Sequence, residues 1–470
     1  MLLSVYSMLK KETLKETPHE RLGWNITSSG SYTIDLPQLS MEEEKLIIHI
    51  ESLFREKTRE QVISTKEESE QLLKQLIISH ARSSGIYIDS SQSEYLSKIA
   101  SLHFYGFCFI DPLLEDKEIE EISVIGVNKP VYVYVRNKGW QEVNAQFSTL
   151  TIITDAVNKM AHSIGRRITL QHPRLDAMLP NGDRLHASLP PISQGEITIR
   201  RFKETPFSPR ELCENNTIDA KALAYLSLIL QGDNSVILAG NTASGKTTLL
   251  NALFGFVPLN ERIIVTEETP EIKILHPHTV RLVANKEMGV SLHDLVYDSF
   301  RMRPDRVIVG EIRNAHEANA LFDVLLAGQA RGSYATMHAH SAEEGLQRLK
   351  SFGIKDIDLN SIDCLVIQKR MVKYDQKKKR NYEIRRVIEI AETTKNGLHP
   401  VFSYDYATDS LRFNESMLLE EVGSKLGLRK KEVDEELASR VLAMKKYASH
   451  YPDFFSQVQK QWYGLTYAVD

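Results

Sequence analysis

The sequence predicts an α/β protein whose main part is a parallel sheet covered on both faces by helices. Three observations carry this. From about residue 206 to 395, short apolar runs alternate with stretches of helical periodicity, the pattern of parallel strands joined by crossover helices. Ser235-Val-Ile-Leu-Ala239 is an unbroken apolar run that leads through a short loop into Thr247-Thr-Leu-Leu-Asn-Ala-Leu253, a good helix former. Upstream, residues 101–205 carry shorter, alternating runs that read as a smaller α+β domain.

The chain has 470 residues, too many for one ordinary core, so two or three domains are expected. With 42% hydrophobic and 26% charged residues it fits a soluble globular protein, and a formal net charge of −4 gives no support to generic nucleic-acid binding. Cys108, Cys213 and Cys364 show no CxxC spacing, so they read as lone thiols in a reducing compartment. The first sixteen residues, MLLSVYSMLKKETLKE, have too short an apolar stretch for a secretory signal, and nowhere do about 18 apolar residues run together. A cytoplasmic protein is expected, with any membrane role exercised through a partner.

Four regions follow along the chain. Residues 1–100 form a helical N-terminal extension, with Leu46, Ile50, Leu53 and Phe54 at helical spacing in a pattern that runs from Met41 through Ile78 and with Ser83-Ser-Gly85 as a stop. It packs on the rest of the chain or serves a partner; composition leaves both open. In residues 101–205, Pro130-Val-Tyr-Val-Tyr-Val135 alternates as a strand and Asn137-Lys-Gly139 supplies a turn. Thr151 to Ile164 reads as a helix, Pro180-Asn-Gly-Asp183 as a tight turn, and Ile197-Thr-Ile-Arg200 as a strand. The third region, 206–395, opens on Ser208-Pro-Arg-Glu211, a helix start with Ser at the N-cap, Pro at the first turn and Glu in place for a capping box. Residues 396–470 read as a helical C-terminal region, and Lys377-Lys-Lys-Arg380 as a solvated hairpin turn.

The loop between strand and helix is Gly240-Asn241-Thr242-Ala243-Ser244-Gly245-Lys246-Thr247, the P-loop pattern in the strand–loop–helix context it requires. Glycines let successive backbone N–H groups turn inward onto phosphate oxygens, and the helix adds its N-terminal dipole. Lys246 is placed to neutralise the β- and γ-phosphates of ATP and the Thr247 hydroxyl to ligate Mg²⁺, with Thr248 next in the helix. Arg306-Val-Ile-Val309 is a second strand run and ends in Gly310-Glu311, an acid able to hold Mg²⁺ through water or to polarise the attacking water. A third, Arg262-Ile-Ile-Val265, ends in Thr266-Glu267-Glu268; these carboxylates can reach the γ-phosphate side, and a solvated acidic turn reads the same way. His338 follows the run Ser333-Tyr-Ala-Thr-Met337, where a neutral imidazole can order a water; lone histidines are also common structural residues.

Together these stretches resemble the secretion-ATPase superfamily of type II secretion, type IV pili, archaella and type IV secretion. GNTASGKT resembles its Walker A box, EETPEI (267–272) its acidic box, RPDRVIVGEIRNAHE (303–317) its Walker B segment and GQARGSYATMHAHSAEE (328–344) its His box. Upstream, DPLLEDKEIEEISVIG (111–126) and HPRLDAMLPNGDRLHASLPP (172–191) resemble its N-terminal domain, and ITIRRFKETPFSPREL (197–212) the connection to its motor. The resemblance implies a RecA-like P-loop motor domain with a smaller, PAS-like α+β domain before it. It implies a homohexameric, Mg-dependent ATPase that acts on a polytopic membrane platform protein, is held at the membrane only through that partner, and needs no direct nucleic-acid contact. It makes Glu267, Glu311 and His338 the catalytic set, with Glu311 and Thr247 at the metal. Arg174, Arg184, Arg200 and Arg201 fall where the family places arginines that reach phosphate or complete a neighbour's site.

Three departures bear on which machine is powered: Glu268 where Asp is usual, Gln329 where many members carry a first histidine, and no four-cysteine zinc insertion. GSYATMH and the long N-terminal region are most similar to the archaeal branch. A conjugation-type DNA-transfer motor and a nucleotide-sensing scaffold with little turnover stand as alternatives.

Overall fold

The computed structural model describes residues 24–26, 31–34, 39–60 and 66–467, apart from 105, 108, 137, 203–204, 286–287, 329 and 378. Cys108, Asn137, Lys203, Glu204, Gln329, Lys378 and the N-terminal stretch through residue 23 lie outside these. The chain divides into two compact units, one ending at Glu204 and the other starting at Thr205.

In the first unit the strands are β1 (Trp24–Ile26), β2 (Ser31–Ile34), β3 (Ile119–Val124), β4 (Pro130–Val135), β5 (Gly139–Gln146), β6 (Arg174–Met178), β7 (Arg184–Ser188) and β8 (Glu196–Arg200). They form one sheet in the order β1-β2-β5-β4-β3-β8-β7-β6. Strand alternation decides what is buried: Val131, Val133 and Val135 point into the core, while Pro130, Tyr132 and Tyr134 face outward. On the core side lies α5 (Leu150–Ser163), started by the Thr149 hydroxyl accepting the Ile152 N–H and burying Ile153, Ala156, Val157 and Met160. Between β2 and β3 come α1 (Met41–Glu60), α2 (Lys66–Ser83), α3 (Ser90–Phe104) and the short α4 (Ile110–Glu115). Leu46, Ile50 and Phe54 of α1 cluster with Leu73 and Ile77 of α2 and Leu96 and Ile99 of α3.

The expectation that residues 1–100 are helical needs correcting at β2. This four-residue strand pairs in parallel with β5, Tyr32 beside Val143, and Tyr32 and Ile34 are buried in the sheet's core. The Asn144 side chain completes the join, accepting the Ile34 N–H at 2.8 Å and donating to the Ile34 carbonyl at 2.9 Å. Four residues are too few to raise a periodic signal, and the partner strand lies more than a hundred positions downstream.

In the second unit β9 (Val236–Gly240), β10 (Ile263–Glu267), β11 (Thr279–Val283), β12 (Arg306–Ile312), β13 (Gly332–Met337), β14 (Cys364–Asp375), β15 (Arg380–Thr394), β16 (Gly397–Asp405) and β17 (Ser410–Phe413) make a single sheet. Its order is β11-β10-β12-β13-β9-β14-β15-β16-β17. In that order each adjacent pair from β11 to β14 is parallel, and each pair from β14 to β17 is antiparallel. One strand, β13, stands between β9 and β12, which is the RecA-like arrangement. Residues of β9 alternate between two cores: Val236 and Leu238 pack with α7 (Ala220–Gln231) and α8 (Lys246–Leu253), whereas Ile237 and Ala239 pack with α9 (Leu292–Ser299), α10 (Ala315–Ala327) and α11 (Ala342–Ser351). The helix start at Ser208 is as the sequence predicts. Ser208 and Glu211 exchange side-chain and backbone bonds to open α6 (Pro209–Glu214).

Residues 396–470 begin as strands, a second correction. β16 and β17 extend the sheet before α13 (Leu418–Lys425), α14 (Lys430–Lys446) and α15 (Tyr451–Tyr463), which follow the short α12 (Asp356–Leu359). Only Val401 and Phe402 of β16 are buried, and the register slips opposite Pro400, which has no N–H to give the ladder, so the alternation is hidden. Among the described residues no helix is long and apolar enough to cross a membrane.

Candidate functional site

The phosphate loop begins where β9 leaves the sheet. Gly240 is obligatory there: a Cβ would sit 1.9 Å from the Gln368 carbonyl oxygen on β14. The loop then turns through two left-handed residues, Ala243 (φ 58°) and Gly245 (φ 97°), before α8 starts. Glycine takes this conformation freely, whereas alanine there costs about 1–2 kcal/mol. Thr242 and Ala243 are exposed at the apex, Ser244 is fully buried, and Thr248 sits half-buried in α8. The Ser244 hydroxyl has no hydrogen-bond partner among the described residues.

Lys246 is buried within the loop it follows, its ammonium 3.4 Å from the Gly240 carbonyl and 3.5 Å from that of Asn241. Burial lowers its pKa, and Glu311 and Glu271 push back in favour of the charge. A cation held so weakly by neutral carbonyls, in a glycine-rich loop at a helix N-terminus, suits an anion of high charge. The donor set therefore fits a nucleoside polyphosphate, and Lys246 and the loop N–H groups would hold its terminal phosphates. Among the described residues no cluster of three or more His, Cys, Asp or Glu can cage a metal. A P-loop Mg²⁺ does not need one, since phosphates, water and one hydroxyl supply most of its shell, so Thr247 with a nearby carboxylate fits that ion.

The carboxylate that Thr247 bonds is one the sequence reading did not single out. Glu271 Oε2 accepts the Thr247 hydroxyl at 3.2 Å. Its segment is held against α8 by Asn251, which donates to the Glu271 carbonyl at 3.3 Å and accepts the Lys273 N–H at 3.0 Å. Glu267, at the end of β10, lies one layer deeper. It is 3% exposed, and its Oε1 accepts the N–H groups of Glu271 and Ile272 at 2.8 and 2.9 Å. Burial raises its pKa to about 7 against those two bonds. Glu267 thus shapes the turn that presents Glu271. Glu271 stands one residue past Pro270 in EETPEI, inside the acidic box but outside the adjacent pair Glu267-Glu268.

Glu311 leaves β12 at a register irregularity between Val309 and Ile312, the kind of bulge that re-aims a side chain. Its carboxylate meets Arg313 at 2.6 Å and His338 Nε2 at 3.0 Å. Arg313 also pairs with Glu268, so it bridges the acids at the ends of two neighbouring strands. His338, just past β13, points Nδ1 at the Gly240 carbonyl at 3.1 Å. A carbonyl only accepts, so Nδ1 carries a proton, and a bond from Nε2 to Glu311 needs a second proton on one of the two partners. Burial, and after it Lys246, lowers the pKa of the imidazole, while Glu311 raises it. The structure thus gathers Gly240 to Thr248, Glu267, Glu271, Glu311 and His338 at the same end of the parallel strands, where open α/β sheets bind ligands.

The four arginines belong to the first unit. Arg174 opens β6 and is exposed. Arg184 and Arg200 are register partners across β7 and β8, and Arg200 reaches Glu121 at 3.2 Å. Arg201 donates to the Asp116 carbonyl and lies 3.6 Å from Asp183.

The type II/IV secretion system protein family matches residues 107–430, well over half of the chain. The chain belongs to that family. Uncharacterized protein MJ0781 of Methanocaldococcus jannaschii is 34% identical over 255 residues, 52% of this chain and 34% of that protein, so the chain spans about a third of this relative's length. The putative conjugal transfer protein Rv3659c of Mycobacterium tuberculosis is 30% identical over 270 residues, 54% of this chain and 75% of its own. Among solved structures, the Legionella pneumophila ATPase DotB is 19% identical with a TM-score of 0.44, covering 71% of this chain and 87% of DotB. The family match takes in β3 to α13 and every residue of the site above.

Proposed function

We propose that this chain hydrolyses ATP with Mg²⁺ and is the motor of a type II secretion or type IV pilus-like assembly machine, of the archaeal pilus or archaellum kind. The observation that carries the chemistry is the convergence of Lys246, Thr247, Glu271 and Glu311 on one loop. Lys246 and the loop N–H groups would bind the phosphates, and Thr247 and Glu311 would hold the metal. Glu271 takes the proton of the attacking water, Glu267 keeps Glu271 in place, and His338 reads the γ-phosphate through Glu311 and Gly240. Bound Mg²⁺ would neutralise charge that develops between the β- and γ-phosphates. The chain works as a homohexamer, with arginines from among Arg174, Arg184, Arg200 and Arg201 completing each site, and delivers its stroke to a polytopic membrane platform protein from the cytoplasmic face.

The family match supports a secretion or assembly role, and the archaeal relative supports that branch. Rv3659c, named a putative conjugal transfer protein, supports DNA transfer as the second reading. Phosphate release by purified protein tests the chemistry. Lys246→Ala should abolish it with the fold intact, because the buried cation at the phosphates is gone, and a wild-type rate in that variant ends the assignment. Glu311→Gln should bind Mg-ATP yet turn over poorly; failure to bind nucleotide makes Glu311 a structural acid.

A further inference from the structure

The hairpin of β14 and β15 grips the phosphate loop from the side. Asn241 exchanges two bonds with the backbone of Arg370 on β14, donating to its carbonyl at 3.0 Å and accepting its N–H at 2.9 Å. Arg385 on β15 donates from Nε to the Ala243 carbonyl at 3.0 Å. Arg370 and Arg385 are register partners, so both contacts come from one rung of the hairpin. Beneath them Gln368 is buried, its amide close enough to Gly245 that a Cβ there would meet Nε2 at 3.0 Å.

Among these contacts the bond to Ala243 stands out, because Ala243 is the one non-glycine residue of the loop in the left-handed region. An L-residue leaves that region when nothing holds it. Left-handed residues of this kind are what build an anion nest, in which successive backbone N–H groups turn toward one anion, and Ala243 and Gly245 supply them here. We propose that Arg385 is a positioning residue that pins the Ala243 peptide in its left-handed turn and thereby sets the loop's affinity for nucleotide phosphates. This rests on the assignment of residues 240–247 as the nucleotide site. Arg385 acts through Ala243 and not by touching the phosphates, so a glycine at 243, which needs no pinning, should make the arginine dispensable.

The test is a double-mutant cycle on the full-length chain, read as the Kd for a fluorescent ATP analogue with Mg²⁺. Thermal unfolding of each variant confirms that it is folded. Arg385→Ala in the wild-type background should weaken binding about tenfold, the worth of one well-placed hydrogen bond, with a smaller change in turnover at saturating ATP. Arg385→Lys, which keeps the charge but loses the Nε donor, should weaken binding similarly. With Ala243→Gly as the reference, adding Arg385→Ala should cost less than about threefold. A full tenfold loss in that background, or wild-type affinity in Arg385→Lys, means that Arg385 meets the ligand itself and overturns the proposal. Unchanged binding in Arg385→Ala overturns it as well. If the folded wild-type chain binds no analogue at all, the nucleotide site itself is refuted and the proposal falls with it.

Discussion

At the scale of single residues, the proposed mechanism divides between two carboxylates of the acidic turn after β10 the role that the resemblance gives to Glu267. Glu267 spends an oxygen on two backbone N–H groups, and Glu271 faces Thr247. Glu271→Gln should therefore lower kcat on the order of a hundredfold or more, the scale of a lost general base, with little effect on the Kd for Mg-ATP. Glu267→Gln keeps an acceptor for both N–H groups and should lose much less; the reverse ranking in phosphate-release assays would restore Glu267 as the base. The two variants also differ in stability against pH. Burial lifts the Glu267 pKa to about 7 from an ordinary 4.5, so between those values the folded chain holds more protons than the unfolded one. Stability from this group is then greatest below about pH 4.5 and is lost as pH rises toward 7. Glu267→Gln should flatten that decline relative to wild type in denaturant titrations across the window, and an unchanged slope would mean that the carboxyl is ionised throughout. Residue spacing made Lys246, Thr247 and Glu311 legible because each sits at a fixed offset from a strand end. It could not rank Glu267 against Glu271, since that choice depends on which way a tight turn points its side chains.

At the scale of elements, the parallel strands and capped helices of the second unit were readable because each carries a long local signal: β9, β10 and β13 are buried at every position, and α6 has its own capping box. What escaped was structure fixed by distant partners. β2 holds four residues, and β16 hides its pairing behind Pro400. The β2 strand nonetheless contributes to stability in a measurable way. Tyr32 and Ile34 are fully or nearly fully buried, worth about 1.5–3 kcal/mol each, and the Tyr32 hydroxyl donates to Asp116 at 2.6 Å. Deleting residues 1–40 should thus destabilise the first unit by about 3–5 kcal/mol, while leaving the melting of the second unit where it was. Calorimetry that shows no shift in the first unit would mean that β2 is dispensable.

At the scale of the whole molecule, the question is whether one unit suffices. Each unit has its own core, and the contacts described above at the phosphate loop, Asn241–Arg370, Thr247–Glu271 and His338–Gly240, lie within residues 205–470. That fragment should fold alone and bind Mg-ATP through its own loop, with Lys246→Ala abolishing the binding. Turnover is a different matter on the proposed mechanism, because the candidate arginines all belong to the first unit. A guanidinium that stabilises charge in a phosphoryl-transfer transition state is worth on the order of a thousandfold in rate, and binding alone does not replace it. The fragment should therefore bind nucleotide yet hydrolyse it on the order of a thousandfold more slowly than the full chain, and should not form a ATP-dependent ring in mass photometry. Single Arg→Ala variants of the full chain then identify the residue. Arg200 and Arg201 already neutralise Glu121 and Asp183 in their own unit, so their loss should also lower its stability, whereas Arg174, exposed at the start of β6, should affect turnover alone. A fragment that hydrolyses ATP at the full-length rate would show that no arginine of the first unit completes the site, and the transition-state cation would then have to be sought among those of the second.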